Sequence, residues 1–128
     1  MSLMYNRSVD DDELEQYDRS LSKEAQRVVQ EIKFGVDFVE VSTQLENNEA
    51  IAYLNIRTLE KEFWCVELTA SGYLAVANKF DYIDQDLKEK NLEELNKYET
   101  IEALMNSISP LFIEKFNSSV AERLEKLK

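Results

Sequence analysis

Between Ala50 and Asn78 the apolar residues of this 128-residue chain change period, and no other property of the sequence restricts its fold as much. Ala52, Leu54 and Ile56 alternate with Tyr53, Asn55 and Arg57, and Trp64, Val66 and Leu68 alternate with Phe63, Cys65 and Glu67. A period of two sends successive side chains to opposite faces, so these runs predict half-buried antiparallel strands. Two short connections, at residues 58–62 and at Ala70-Ser71-Gly72, turn one strand into the next, with Gly72 supplying a positive φ. Residues 73–78 then form the last member of a meander, and residues 39–45 offer one more strand, three to four in all.

Outside this window the spacing is helical. Ser22 is expected to cap a helix in which Ala25, Val28, Val29, Ile32, Val36 and Val39 recur at steps of three and four, although residues 38–43 also suit a strand. Residues 84–97 read as a charged excursion, helical or loose, and residues 100–107 as a short helix. Ser109 and Pro110 break the chain there, because proline disfavours helical geometry in the residue before it. The same pair can start a terminal helix, with Ser109 as cap and Pro110 at the first helical position. Helices at both ends of a meander bury its apolar face, so the predicted class is α+β: a three- to four-stranded antiparallel meander packed against an N-terminal helix and C-terminal helices. One domain is expected over residues 21–128. Residues 1–20 hold Asp10, Asp11, Asp12, Glu13, Glu15 and Asp18 with few apolar groups, a composition that predicts a flexible acidic segment.

The terminal helix carries Ile113, Phe116, Val120, Leu124 and Leu127 on one face. Such a stripe in a small protein usually closes its own core. Leu124 and Leu127 come last, however, where few intramolecular contacts hold a chain, and a partner could use them instead.

The chemistry open to the chain is narrow. It has no histidine, so Ser-His-Asp and Cys-His nucleophile pairs cannot be built and the usual zinc ligand sets are missing. Two glycines, Gly35 and Gly72, cannot form a phosphate-binding loop or a dinucleotide fingerprint. Cys65 sits inside an apolar strand, where a buried inert thiol is expected, and as the only cysteine it suits a reducing compartment. Asp81 and Asp84 lack the alternating ligands and turn glycine of a calcium loop, and a solvated acidic face accounts for them better than a site. These absences argue against an enzyme, a metal site and a cofactor. A net charge of −11 disfavours nucleic acid and an anionic membrane surface, and no apolar run is long enough to span a bilayer. No leader or transit pattern is visible, so a cytoplasmic, and also nuclear, location is expected.

Three separated segments resemble the GSKIP (glycogen synthase kinase-3 beta interaction protein) domain family. They are Ala52-Tyr53-Leu54-Asn55-Ile56 with Trp64-Cys65-Val66-Glu67-Leu68-Thr69; Phe80-Asp81-Tyr82-Ile83-Asp84 with Tyr98-Glu99-Thr100-Ile101; and Ile108-Ser109-Pro110 with Arg123-Leu124-Glu125-Lys126-Leu127-Lys128. The resemblance implies a non-catalytic adaptor that binds and restrains glycogen synthase kinase-3, with effects on Wnt/β-catenin signalling. It also implies that the terminal helix makes the contact, with Leu124 as the key anchor, Phe116, Val120, Arg123 and Leu127 beside it, and a core similar to the kinase-binding helix of axin. In vertebrate members the first helix also docks the type II regulatory subunit of protein kinase A, through positions matching Val28, Val29, Ile32 and Val36. Here Lys33 stands where a groove-facing leucine is expected, so that anchoring should be weak or absent. A second reading follows from a similar segment in the clustered mitochondria proteins: a structural or protein-interaction module without a kinase partner.

Overall fold

The structure, a computed structural model, describes residues 21–126; the acidic segment 1–20 and Leu127 lie outside the described residues. The chain runs α1 (Leu21–Ile32), a 3-10 turn (Lys33–Gly35), β1 (Val36–Val41), β2 (Ile51–Thr58), β3 (Phe63–Thr69), β4 (Gly72–Ala77), α2 (Gln85–Glu93), β5 (Lys97–Tyr98), α3 (Ile101–Ile108) and α4 (Pro110–Lys126). The strands form one antiparallel five-stranded sheet in the order β1-β2-β3-β4-β5. Four of them are the expected meander. The fifth is two residues long, too short to carry a periodicity, and closes the edge beside β4 after the charged excursion has formed α2.

Helix α1 buries Ala25, Val28, Val29 and Ile32 as its spacing predicts, but ends sooner than expected. Val36 and Val39 belong to β1, not to the helix. Their spacing of three suits a helix face, and a bulged strand accommodates it equally well. The register of β1 on β2 slips between Val36 and Phe38, so Val36, Val39 and Val41 all reach the helix-covered face of the sheet. Ser22 likewise lies within the first turn of α1, which begins at Leu21, and is not its cap.

The meander is buried on both faces, where alternation predicted one. Ala52, Leu54, Ile56, Val66 and Leu68 form the main core with α1, Ile101, Leu104 and Met105 of α3, and Phe112 of α4. Tyr53, Cys65, Leu74, Val76 and Ala77 form a smaller core on the other face, against Leu45, Ile51 and Ile83. Helix α2 lies beside this second face with no fully buried residue, so polar contacts hold it. Lys88 Nζ donates to Glu67 Oε2 at 2.9 Å, Tyr53 donates its hydroxyl to the same oxygen at 2.8 Å, and Asn91 Nδ2 donates to the Ala75 carbonyl at 2.9 Å. Glu67 is buried, and the bonds from Lys88 and Tyr53 offset the cost of removing its charge from water. At the β3–β4 turn Gly72 adopts φ +129°, and a Cβ there would lie 2.4 Å from the Tyr98 carbonyl oxygen, so the residue serves both the reversal and the approach of β5.

A candidate protein-docking surface on the terminal helix

Helix α4 is fixed firmly at its start. Ser109 Oγ accepts the Phe112 N–H at 3.1 Å, the N-cap bond expected of it, and Pro110 occupies the first helical position. Glu60, from the β2–β3 turn, accepts from Ser109 Oγ at 2.7 Å and from the Leu111 N–H at 2.9 Å. Burial alone would raise the Glu60 pKa, but the bonds from Leu111, Ser109 and its own turn together hold it below the usual carboxylate value. A carboxylate at a helix N-terminus also gains from the helix dipole. Phe112 completes the anchor: its ring is fully buried, and it lies so close to Gly35 that a Cβ there would come within 2.6 Å of Cδ1.

Beyond this first turn the helix runs along the edge of the domain with little of it buried. From Ile113 to Glu125 every residue is exposed except half-buried Ser119. Ile113, Phe116, Val120 and Leu124 are 37, 39, 40 and 59% exposed, so the apolar stripe read from the sequence is left largely open. Arg123 is exposed beside it. Phe112, absent from the expected stripe, is the residue that enters the core. Its place four residues before Phe116 is the signal the sequence holds, and Glu60 leaves none, since its partners are 49 and 51 residues away.

The segment compared with a protein kinase A docking helix is differently placed. Val28, Val29, Ile32 and Val36 are all buried in the main core, and Lys33 faces solvent at the end of the helix.

The remaining candidates resolve into structural roles. Cys65 is buried, and burial pushes its thiol up to about 11, so it is held in the protonated form at neutral pH. Asp81 accepts from Ser42 Oγ at 2.6 Å and Asn55 Nδ2 at 2.8 Å, bonds that hold its carboxyl below the usual range. Asp84 caps α2 by accepting from the backbone of Asp86 and Leu87. Among the described residues no group of three or more acids and cysteines is arranged to hold a metal ion, and no helix is long and apolar enough to cross a membrane.

The sequence matches the model of the GSKIP domain over residues 21–127, the same span that folds around the sheet and ends in α4. It is 38% identical over 111 residues to a GSK3-beta interaction protein of Gallus gallus, covering 86% of this chain and 75% of the relative. It is 33% identical over 110 residues to the GSK3B-interacting protein of Homo sapiens, with the same coverage, and 36% identical over 94 residues to the Protein GSKIP homolog of Drosophila melanogaster, covering 73% of this chain and 76% of that one. A domain match across nearly the whole folded region and relatives above 30% identity over most of their length lead to one conclusion: the chain belongs to the GSKIP domain family.

Proposed function

We propose that this protein is a non-catalytic adaptor that binds glycogen synthase kinase-3 through α4 and restrains it, and so acts on β-catenin signalling. One observation carries the reading: α4 is locked to the domain by Phe112 and Glu60, while Phe116, Val120 and Leu124 beyond the anchor lie open in a row. A few apolar anchors on one helix face are what helix-in-groove recognition uses. Because the first turn is already built, docking avoids the nucleation cost that makes an isolated helix of this length marginal in water. The names of the relatives, GSK3-beta interaction protein and GSK3B-interacting protein, supply the partner. Leu124, the most exposed of the row, is the proposed central anchor, with Arg123 orienting the rim and Leu127 extending the stripe. Removing residues 118–128 should abolish capture of the kinase while leaving the sheet intact by circular dichroism; capture at wild-type level by the shortened chain would overturn the proposal.

Docking of the protein kinase A regulatory subunit is, on this reading, weak or absent. Val28, Val29 and Ile32 would have to leave the core to meet it, and Lys33 would bring a charge to the groove. Titrating the subunit's docking domain against wild type and Lys33→Leu tests this, and tight binding by the wild type would contradict it.

A further inference from the structure

The side of α4 that faces the domain does not lie flat against it. Past Phe112 a groove of about 530 Å³ opens between α4, the end of α1 and the start of α3, lined by Phe34, Phe116 and Val120 and by Glu31, Glu102 and Arg123. The rings of Phe34 and Phe116 stand 6.3 Å apart, and Phe34 lies 5.3 Å from the buried ring of Phe112, so the apolar wall is built on the same anchor that fixes the helix. Both outer rings remain exposed.

The acidic lining is unusual in its pairing. Glu31 and Glu102 come from different helices and line the same groove; burial first, and then the neighbouring Glu102, raise the Glu31 pKa above the ordinary carboxylate value. Two carboxylates this close repel unless a proton or a cation lies between them. Arg27, one turn below on α1, is already bonded to Glu24.

We propose that this groove is a second part of the kinase-docking surface and receives a basic side chain, Lys or Arg, flanked by apolar residues of the partner. The apolar neighbours pack on Phe34, Phe116 and Val120, and the cation sits between Glu31 and Glu102. Arg123, on the α4 wall, repels a cation placed at its end of the groove and so fixes the direction in which the partner lies. The net charge of −11 steers a basic segment toward the molecule at long range. The inference rests on the reading that α4 docks the kinase.

The test is titration of the kinase into the full-length chain at low and at high salt. Glu31→Gln/Glu102→Gln removes both charges without adding bulk and should weaken binding about five- to tenfold at low salt, with much of the difference lost at high salt. Glu31→Lys/Glu102→Lys should weaken it further. Leu124→Ala reports on α4 docking separately. Undiminished binding by the folded glutamine pair alongside weakened binding by Leu124→Ala overturns the groove and leaves α4 docking standing. Unchanged binding by Leu124→Ala overturns the docking reading itself. If the glutamine pair instead disrupts self-association measured by sedimentation and spares kinase binding, the groove serves a second copy of this chain and the proposal is wrong.

Discussion

Helix α1 buries Ala25, Val28, Val29 and Ile32 to between 0 and 9% exposure, whereas α4 leaves Ile113, Phe116, Val120 and Leu124 between 37 and 59% exposed. Both helices carry an apolar stripe at the same spacing. What separates them is the surface each one meets. One face of the sheet offers Leu54, Ile56, Val66 and Leu68, and α1 and α3 occupy it. Helix α4 begins at the margin of that core, inserts Phe112 above Gly35, and then has no apolar sheet left to cover. Periodicity therefore reports that a face is apolar, and the number of places already taken decides whether the fold covers it or leaves it open.

The contrast is attacked most severely at the one point where α4 behaves like α1. Phe112→Ala removes a fully buried ring and should cost about 3–5 kcal/mol in urea unfolding, comparable to Ile32→Ala at about 2–5 kcal/mol. A near-neutral Phe112→Ala would mean that α4 is not anchored by this ring. Gly35→Ala approaches the same contact from the other side: its Cβ would sit 2.6 Å from Phe112 Cδ1, and relieving that overlap should cost about 1–3 kcal/mol. Partial recovery in Gly35→Ala/Phe112→Leu, read by the same unfolding curves, would assign the cost to this pair.

Glu60→Ala sharpens the comparison more gently. Loss of the carboxylate at the start of α4 should cost about 0.5–1 kcal/mol at neutral pH, the lower part of the capping range because the group is largely solvated. The sign of its pH dependence follows from the lowered pKa. Folding makes Glu60 more acidic than its ordinary 4.5, so its contribution is complete above pH 4.5 and is lost as pH falls below that through the folded value. The stabilities of wild type and Glu60→Ala should converge in acid, and a gap that widens there would contradict the assignment. Smallest of all is the effect of Leu124→Ala on folding, expected within about 0.5 kcal/mol because the side chain touches little of its own domain.

Much of the frame was legible in the sequence because it rests on local signals. The period of two marked β2 and β3, Gly72 marked a turn that needs positive φ, and Ser109-Pro110 marked the start of α4. The errors arose where distant residues decide. Val36 and Val39 fit a helix until the bulge in β1, set by pairing with β2, gave their spacing another meaning. The second covered face of the sheet brings Leu45 and Ile83 onto Tyr53, Leu74 and Val76 and Lys88 onto Glu67, 21 residues away, contacts that no local pattern contains. The open face of α4 is legible as a stripe, yet its anchor is not: the neighbouring Ile113 starts the more regular series and masks Phe112, and Glu60 lies 49 residues before its partner Ser109.

The central claim is that the open stripe of α4 is there to be covered by a kinase, and one paired measurement tests it most directly. Leu124→Ala should keep the wild-type unfolding midpoint and yet bind glycogen synthase kinase-3 about tenfold or more weakly by calorimetric titration, since burying one leucine at an interface is worth roughly 1.5–3 kcal/mol. Wild-type affinity in a variant with wild-type stability would contradict the account.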